Sequence, residues 1–388
     1  MDTKQWLSKL ISFDTTSRNS NLSLIESIAT WFDENGVPSH IIPGNDSSKA
    51  NLFATLPNHE GKEQGGIVLS GHTDTVPVDG QIWHTDPFSA VVKDNKIYGR
   101  GASDMKGFIA VMLALLPELK PIKLHKPVHF SFTCDEEIGC LGAPHVLSYL
   151  KQANIQPEAC IIGEPSSMLP IVGYKGRQVY HIQIKGLSAH SSLTNRGCNA
   201  IEYGSRLICY IRDLAGFLRK EGPFDADFDV PFTSITTNIV SGGHASNVIP
   251  ANCEFMVEMR YLPQFSVETV RSQMQNYIDE TLLPEMRQTY PGAEVYLNLI
   301  SDAPGFTAHE NALITTLLRH VTGINKRMKV SYSTEAGIFQ RANIPTIICG
   351  PGSIEQAHQA DEFITLEQLA ICEKVLRNTI KLYSEIKS

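Results

Sequence analysis

No apolar run in this sequence approaches the length needed to span a bilayer. The opening residues, Met1-Asp2-Thr3-Lys4-Gln5-Trp6-Leu7, carry no signal-peptide hydrophobic block and instead look like the start of an amphipathic helix. There is no clustered basic run, and 33 Lys and Arg against 41 Asp and Glu leave a formal charge of −8. That balance argues against general binding to nucleic acid or to an anionic membrane. Repeats, low-complexity tracts and long disordered linkers are missing too. The eight cysteines (Cys134, Cys140, Cys160, Cys198, Cys209, Cys253, Cys349 and Cys372) include no C-x-x-C pair. Several stand in apolar surroundings, as in Ile347-Ile348-Cys349 and Leu207-Ile208-Cys209. Buried free thiols in a reducing compartment follow, and with them the expectation of a cytoplasmic protein. Neither a G-x-S-x-G elbow nor a Cys–His motif supports covalent catalysis.

What is present is an alternation of strand and helix patterns. Up to about Lys151, helices are expected over 3–12, 22–35 and, as a buried apolar one, 105–119, and strands over 51–56, 67–70, 96–98 and 128–133, with Ala159–Ile162 following. Such alternation predicts an α/β domain with a mixed, largely parallel sheet. After Gly173 the pattern becomes strand 178–185, helix 199–217, strands 233–240 and 253–261, helix 266–287 and strand 293–300. This βαββαβ order is the split βαβ, or ferredoxin-like, arrangement. Two helices on one side leave a sheet face or edge for a partner. From Asn311 the α/β pattern resumes, with a helix to His320, a strand at 345–349 and a helix from Leu366. The expected organisation is a catalytic domain in two parts, 1–174 and 301–388, with an α+β domain inserted at 175–300.

Chemistry collects where the apolar strands stop. Ile67–Ser70 leads into Gly71-His72-Thr73-Asp74, Val128–Thr133 into Glu136 and Glu137, and Ala159–Ile162 into Glu164. The 345–349 strand leads through a glycine-rich loop to His358, and Asp104 follows a glycine-rich turn of its own. In a parallel sheet these strand ends share one edge, where open α/β sheets carry their sites. So many carboxylates in one place would repel each other unless cations neutralised them. Two divalent ions would do so, with His72, Asp104, Glu137, Glu164 and His358 as ligands. Imidazole with carboxylate suits zinc, and cobalt or manganese is tolerable. Taken singly, each residue has an ordinary account: Asp104 as a helix N-cap, Glu136-Glu137 as an acidic turn, Glu164 as loop, His358 as surface. Their joint placement has none.

At these segments the chain resembles the metallopeptidase family that includes acetylornithine deacetylase, succinyl-diaminopimelate desuccinylase, aminoacylases and glutamate carboxypeptidase. The residues that carry the likeness are Ser70–Pro77, Tyr98–Gly107, Asp135–Gly139, Gly163-Glu164-Pro165 and Ala357–Glu362, in the family's order. The resemblance implies that His72 and Glu164 hold one metal, that Glu137 and His358 hold the other, and that Asp104 bridges them. It makes Asp74 the partner that orients His72 and Glu136 the general base acting on a water between the metals. It also implies a homodimer assembled through the inserted domain. In that domain His190, in Gly186-Leu187-Ser188-Ala189-His190, would stabilise the oxyanion from its own or the partner subunit. Ala189 stands where the family usually has glycine. Asn247 and Arg260 match substrate contacts, Arg260 as a carboxylate clamp with a plain salt bridge as its alternative.

Within the family, Trp83–Phe88, Ser333–Phe339 and Gly350–His358 look most like the acetylornithine deacetylases. The reaction this implies is hydrolysis of N2-acetyl-L-ornithine to ornithine and acetate, in arginine biosynthesis. Glu335 would contact the cationic ornithine side chain or support the metal site. A desuccinylase, an aminoacylase or a dipeptidase on the same scaffold are the near alternatives. A non-catalytic metal-dependent binding protein is the remote one, against which the intact Glu136 counts.

Overall fold

A computed structural model describes residues 1–386. The chain divides into two compact units, one of 1–173, 306–329 and 334 onward, the other of 174–305 with 330–333.

In the first unit the centre of the sheet is four parallel strands in the order Val128–Thr133, Ile67–His72, Ala159–Pro165 and Thr346–Gly350. Ala50–Leu56 and then Ser39–Pro43 add to one side as antiparallel strands. The expected mixed, largely parallel sheet is therefore present. The four parallel strands are buried along their whole length, which is why they read as unbroken apolar runs rather than alternating ones. Against them lies the helix Gly107–Leu119, apolar almost all round and buried at ten of its thirteen positions. It packs so closely that a Cβ on Gly163 would come within 2.0 Å of the Phe108 ring. Only glycine can precede Glu164 there without pushing that strand off the helix.

One buried polar residue of this sheet makes stability depend on pH. His129 is fully buried, with Nδ1 3.0 Å from Thr55 Oγ1 and Nε2 2.9 Å from the Gly65 carbonyl. The carbonyl can only accept, so Nε2 carries the proton and Nδ1 accepts from the hydroxyl. Burial pushes this imidazole from 6.5 down to about 4. The unfolded chain takes up a proton below about pH 6.5 that the folded chain refuses until about pH 4. The residue's contribution is therefore whole above pH 6.5 and shrinks, by about 3 kcal/mol, as the pH falls to 4. The urea midpoint of the parent should approach that of His129→Gln between pH 7 and 5. A gap that does not change with pH would refute a neutral buried imidazole.

The second unit is a wholly antiparallel sheet in the order Ser234–Gly242, Asn252–Tyr261, Gly176–Lys185, Glu294–Ala303. With the helix Ala200–Glu221 and a second helical run from Val267, it forms the βαββαβ order expected. Tyr180, Ile182, Leu207, Ile211, Phe255, Val257 and Met274 belong to its core. The second run extends to Thr289 but widens into a π turn at Ile278–Leu282, just before Pro284. Proline has no N–H for the regular ladder, and the wider turn falls where that donor would be missing. The edge strands leave apolar side chains in solvent: Ile239 is 63% exposed, Val240 62% and Ile300 55%.

All eight cysteines are unpaired and seven are buried. Cys209 is the exception to the expected burial, because it lies on the outward face of the Ala200–Glu221 helix while Leu207 faces the core. Among the described residues no helix is long and apolar enough to cross a membrane.

Candidate active site

The parallel strands bring their ends to one edge, and the loops leaving them are tied to each other. Beyond His72, both the amide and the hydroxyl of Thr73 donate to the Thr133 carbonyl, each at 2.8 Å. Beyond Thr133, Asp135 takes a left-handed conformation, φ +55°, at the turn that carries Glu136 and Glu137. The amides of Gly139 and Cys140 close that turn on the Glu136 carbonyl at 2.9 and 2.8 Å. His358, also left-handed at φ +62°, sits in the loop beyond Thr346–Gly350. Asp104 is extended, at φ −120° and ψ 92°, and the helix does not begin until Gly107, so it is not an ordinary N-cap.

These placements bring seven of the expected residues together in the first unit. Asp104 stands between two imidazoles: Oδ1 is 2.9 Å from His72 Nε2, and Oδ2 is 3.2 Å from His358 Nε2. Glu164 Oε1 lies 3.8 Å from the same His72 nitrogen, and Glu137 Oε2 3.1 Å from the same His358 nitrogen. Ligand atoms of His72, Glu136 and Glu164 lie within 4.8 Å of one another, as do those of His72, Asp104 and Glu137. Burial, reinforced by neighbouring carboxylates, pushes the pKa values of Glu136, Glu137 and Glu164 up. Burial opposes ionisation of Asp104 as well, but hydrogen bonds from His358 and His72 outweigh it and hold the group low. The hydrogen bonds to Asp104 and Glu137 push His358 up to about 10. Four acidic groups crowd two imidazoles, an excess of negative charge that divalent cations would cancel. The oxygen and nitrogen donors are of the kind such ions take.

The second layer differs in detail from the simple ligand-and-orienter pair. His72 Nδ1 donates to the Asp74 main-chain carbonyl at 3.0 Å, while the Asp74 carboxylate lies 3.6 Å away. That carboxylate instead accepts from the amides of Glu136 at 3.1 Å and Glu137 at 3.3 Å, and from Ser17 Oγ at 2.7 Å. Asp74 thus fixes the Glu136–Glu137 turn with its side chain and His72 with its backbone. The Cys140 thiol, 3.3 Å away, donates to Glu136 Oε1. Glu335 is only 2% exposed and accepts from Thr133 Oγ1 at 3.0 Å, and burial pushes its pKa up to about 7.

A model of the group described as peptidase family M20/M25/M40 matches residues 68–382. The chain belongs to that family. An acetylornithine deacetylase of Photorhabdus laumondii is 36% identical over 368 residues, covering 95% of this chain and 92% of the relative. Another, of Pasteurella multocida, is 36% identical over 92% of this chain and 90% of its own. Among solved structures, a tripeptidase of Staphylococcus aureus superposes with TM-score 0.77 at 20% identity, covering 99% of this chain and 98% of that one. A dinuclear metal-binding M20 peptidase of Bacillus subtilis gives TM-score 0.69 at 15% identity, with the same coverage. At that identity these likenesses speak for the shared M20 fold.

The remaining expected residues lie in the second unit of this M20 chain. His190 is exposed, its Nδ1 2.8 Å from Ser192 Oγ. The short pairing of Ala189–His190 with Val248–Ile249 brings it beside Asn247, whose carbonyl accepts from the Ser191 amide at 2.9 Å. Arg260 donates through Nε to Glu258 at 2.7 Å, and Arg177 reaches the other oxygen of that carboxylate at 3.0 Å. Ser17, Cys140, Arg100 and Glu362 were not singled out from the sequence. Glu362 had a signal, since a carboxylate within four residues of His358 belongs to the same short motif. Ser17, 57 residues from Asp74, had none.

Proposed function

We propose that this chain is a di-metal amidohydrolase that converts N2-acetyl-L-ornithine to L-ornithine and acetate, a step of arginine biosynthesis. The observation that carries the chemistry is the Asp104 carboxylate shared between His72 and His358, with Glu136 beside it. The substrate is supported by the likeness to acetylornithine deacetylases over at least nine-tenths of each chain.

His72 and Glu164 would hold one ion, Glu137 and His358 the other, and Asp104 both. Zinc fits this donor set best, with cobalt acceptable. Two such ions, when bound, would supply Lewis-acid chemistry, lowering the pKa of a water toward about 7 and polarising the amide carbonyl. Glu136 would take a proton from the attacking water and deliver it to the departing nitrogen. The Cys140 thiol engages Oε1, which leaves Oε2 of Glu136 for the proton. His190 would stabilise the oxyanion, from its own or the partner subunit, and Asn247 would contact substrate. Arg260 would hold the substrate carboxylate through its terminal nitrogens, since Nε is committed to Glu258. Burial of Glu335 favours support beneath the site over contact with the ornithine ammonium.

We place the dimer contact on the second unit, as an inserted dimerisation domain at about 175–300. The exposed Ile239, Val240 and Ile300 on its edge strands support this. The unpaired cysteines fit a reducing, cytoplasmic setting.

Zinc- and cobalt-loaded protein should be assayed against acetylornithine, succinyl-diaminopimelate, acetylmethionine and a dipeptide. Acetylornithine should give the highest kcat/KM, and chelation should abolish turnover of all four. Preference for the succinylated compound would replace the substrate while leaving the chemistry standing. Chelator-resistant turnover would remove the metals.

A further inference from the structure

Arg100 and Glu362 are each 1% exposed and form an ion pair at 2.9 Å, off the ligand cluster yet bonded to both loops that complete it. Glu362 lies in a nest of main-chain donors. Its Oε1 accepts from the amides of Ser103 at 2.8 Å and Asp104 at 3.0 Å, and its Oε2 from the Gly101 amide at 2.9 Å. Gly101 has φ +79°, a conformation that lets its amide turn inward to join the nest. The backbone of Asp104 is thereby fixed by a charge it does not itself carry. Arg100 works on the other side. Its NH1 donates to the Gln359 carbonyl at 3.2 Å as well as to Glu362. Its NH2 donates to the Pro77 carbonyl at 3.3 Å and to Gln81 Oε1, and the guanidinium lies 5.0 Å from the Trp83 ring centroid. Gln81 in turn donates through Nε2 to the carbonyl of His358 itself, at 2.7 Å.

We propose that Arg100 and Glu362 are the positioning residues of the two-ion site, Glu362 setting Asp104 and Arg100 setting His358. The proposal rests on the two-ion reading above. A fold-only role for the pair would require no particular link to those two side chains, yet the bonds run to the amide of one and, through Gln81, to the carbonyl of the other. The planar guanidinium is needed because it serves four acceptors in different directions, which a lysine ammonium on a flexible stem does not. The consequences of losing each partner differ. Asp104 faces both imidazoles, so Glu362 governs both ions. His358 belongs to the Glu137 side alone, so Arg100 governs one.

The protein, stripped of metal, should be titrated with Co²⁺ against a competing chelator and followed by visible absorption. The parent should take up two ions per chain. Arg100→Lys should keep the affinity of the first and weaken the second by roughly 10- to 100-fold, the usual effect of removing an outer-layer partner. Gln81→Ala, a half-buried change that leaves the core alone, should weaken the same ion by less. Glu362→Gln should weaken both ions and alter both cobalt spectra, because a carboxamide places an N–H₂ against amide donors. If Arg100→Lys and Gln81→Ala bind both ions as the parent does, the pair has no positioning role. Equal weakening of both ions by Arg100→Lys, in step with a lower Tm of the metal-free protein, would likewise reduce it to structural support. A parent that binds fewer than two ions would instead overturn the two-ion reading, and this inference with it.

Discussion

Glu136→Gln should lower kcat for acetylornithine by at least about 10²-fold while both metal ions remain bound. Glutamine keeps the length and shape of the side chain, and its oxygen can still accept from the Cys140 thiol. The turn should also survive, because it is held by the amides of Glu136 and Glu137 on the Asp74 carboxylate, not by the Glu136 side chain. What disappears is the ability to accept a proton from water and return it to the amine. KM should therefore change little compared with kcat, the signature of an interaction made chiefly in the transition state. Metal analysis of the same preparation decides between two causes of inactivity. Near-parental turnover with two ions bound would take the base role away from Glu136. Inactivity accompanied by loss of an ion would make it a ligand, which its proximity to His72 and Glu164 allows.

The fold class was legible because both units obey simple periodicities. The four parallel strands are buried on both faces and show as apolar blocks, and the β-strand Gly176–Lys185 of the second unit alternates as a one-sided strand does. Some of what the sequence does not announce is short or exposed, although the ten-residue helix Ala143–Gln152 and the buried strand Ile171–Tyr174 were missed too. Ser39–Pro43 has only Ile42 buried, so it carries no hydrophobic face to read. Ala336–Arg341 is six residues long, less than two helical turns. The site was legible for a different reason: carboxylates and imidazoles placed at apolar strand ends are costly unless they are used. The supports behind them are another matter. Ser17, Cys140 and Arg100 are residue types with many ordinary uses, and each acts through contacts that only the folded chain creates. The Asp74 result shows this most clearly, since the sequence identifies the residue beside His72 but not that its carbonyl and its carboxylate serve different neighbours.

Asp104→Asn should be the most damaging single change in the ligand set, because it is the one residue whose two oxygens face both imidazoles. Asparagine offers one oxygen and one N–H₂ group, so it can serve one side of the site and must present a donor to the other. It also removes a negative charge between two positions that cations would occupy. The second ion should be lost at ordinary metal concentrations. Since a catalytic metal supplies several kcal/mol of transition-state stabilisation, kcat/KM should fall by about 10³-fold or more. Stability gives an independent reading of the same event. Ions that bind only the folded chain stabilise it by about 2.7 kcal/mol each at a hundredfold excess over Kd. The rise in Tm on adding zinc should therefore shrink in Asp104→Asn relative to the parent, whatever happens to turnover. In the metal-free variant His358 loses the first of the two carboxylates that hold its pKa near 10, so its titration should move toward 6.5. An unshifted His358 together with an undiminished zinc response would show that Asp104 neither pairs with that imidazole nor bridges the two ions. The division of the ligand set around Asp104 would then have to be abandoned.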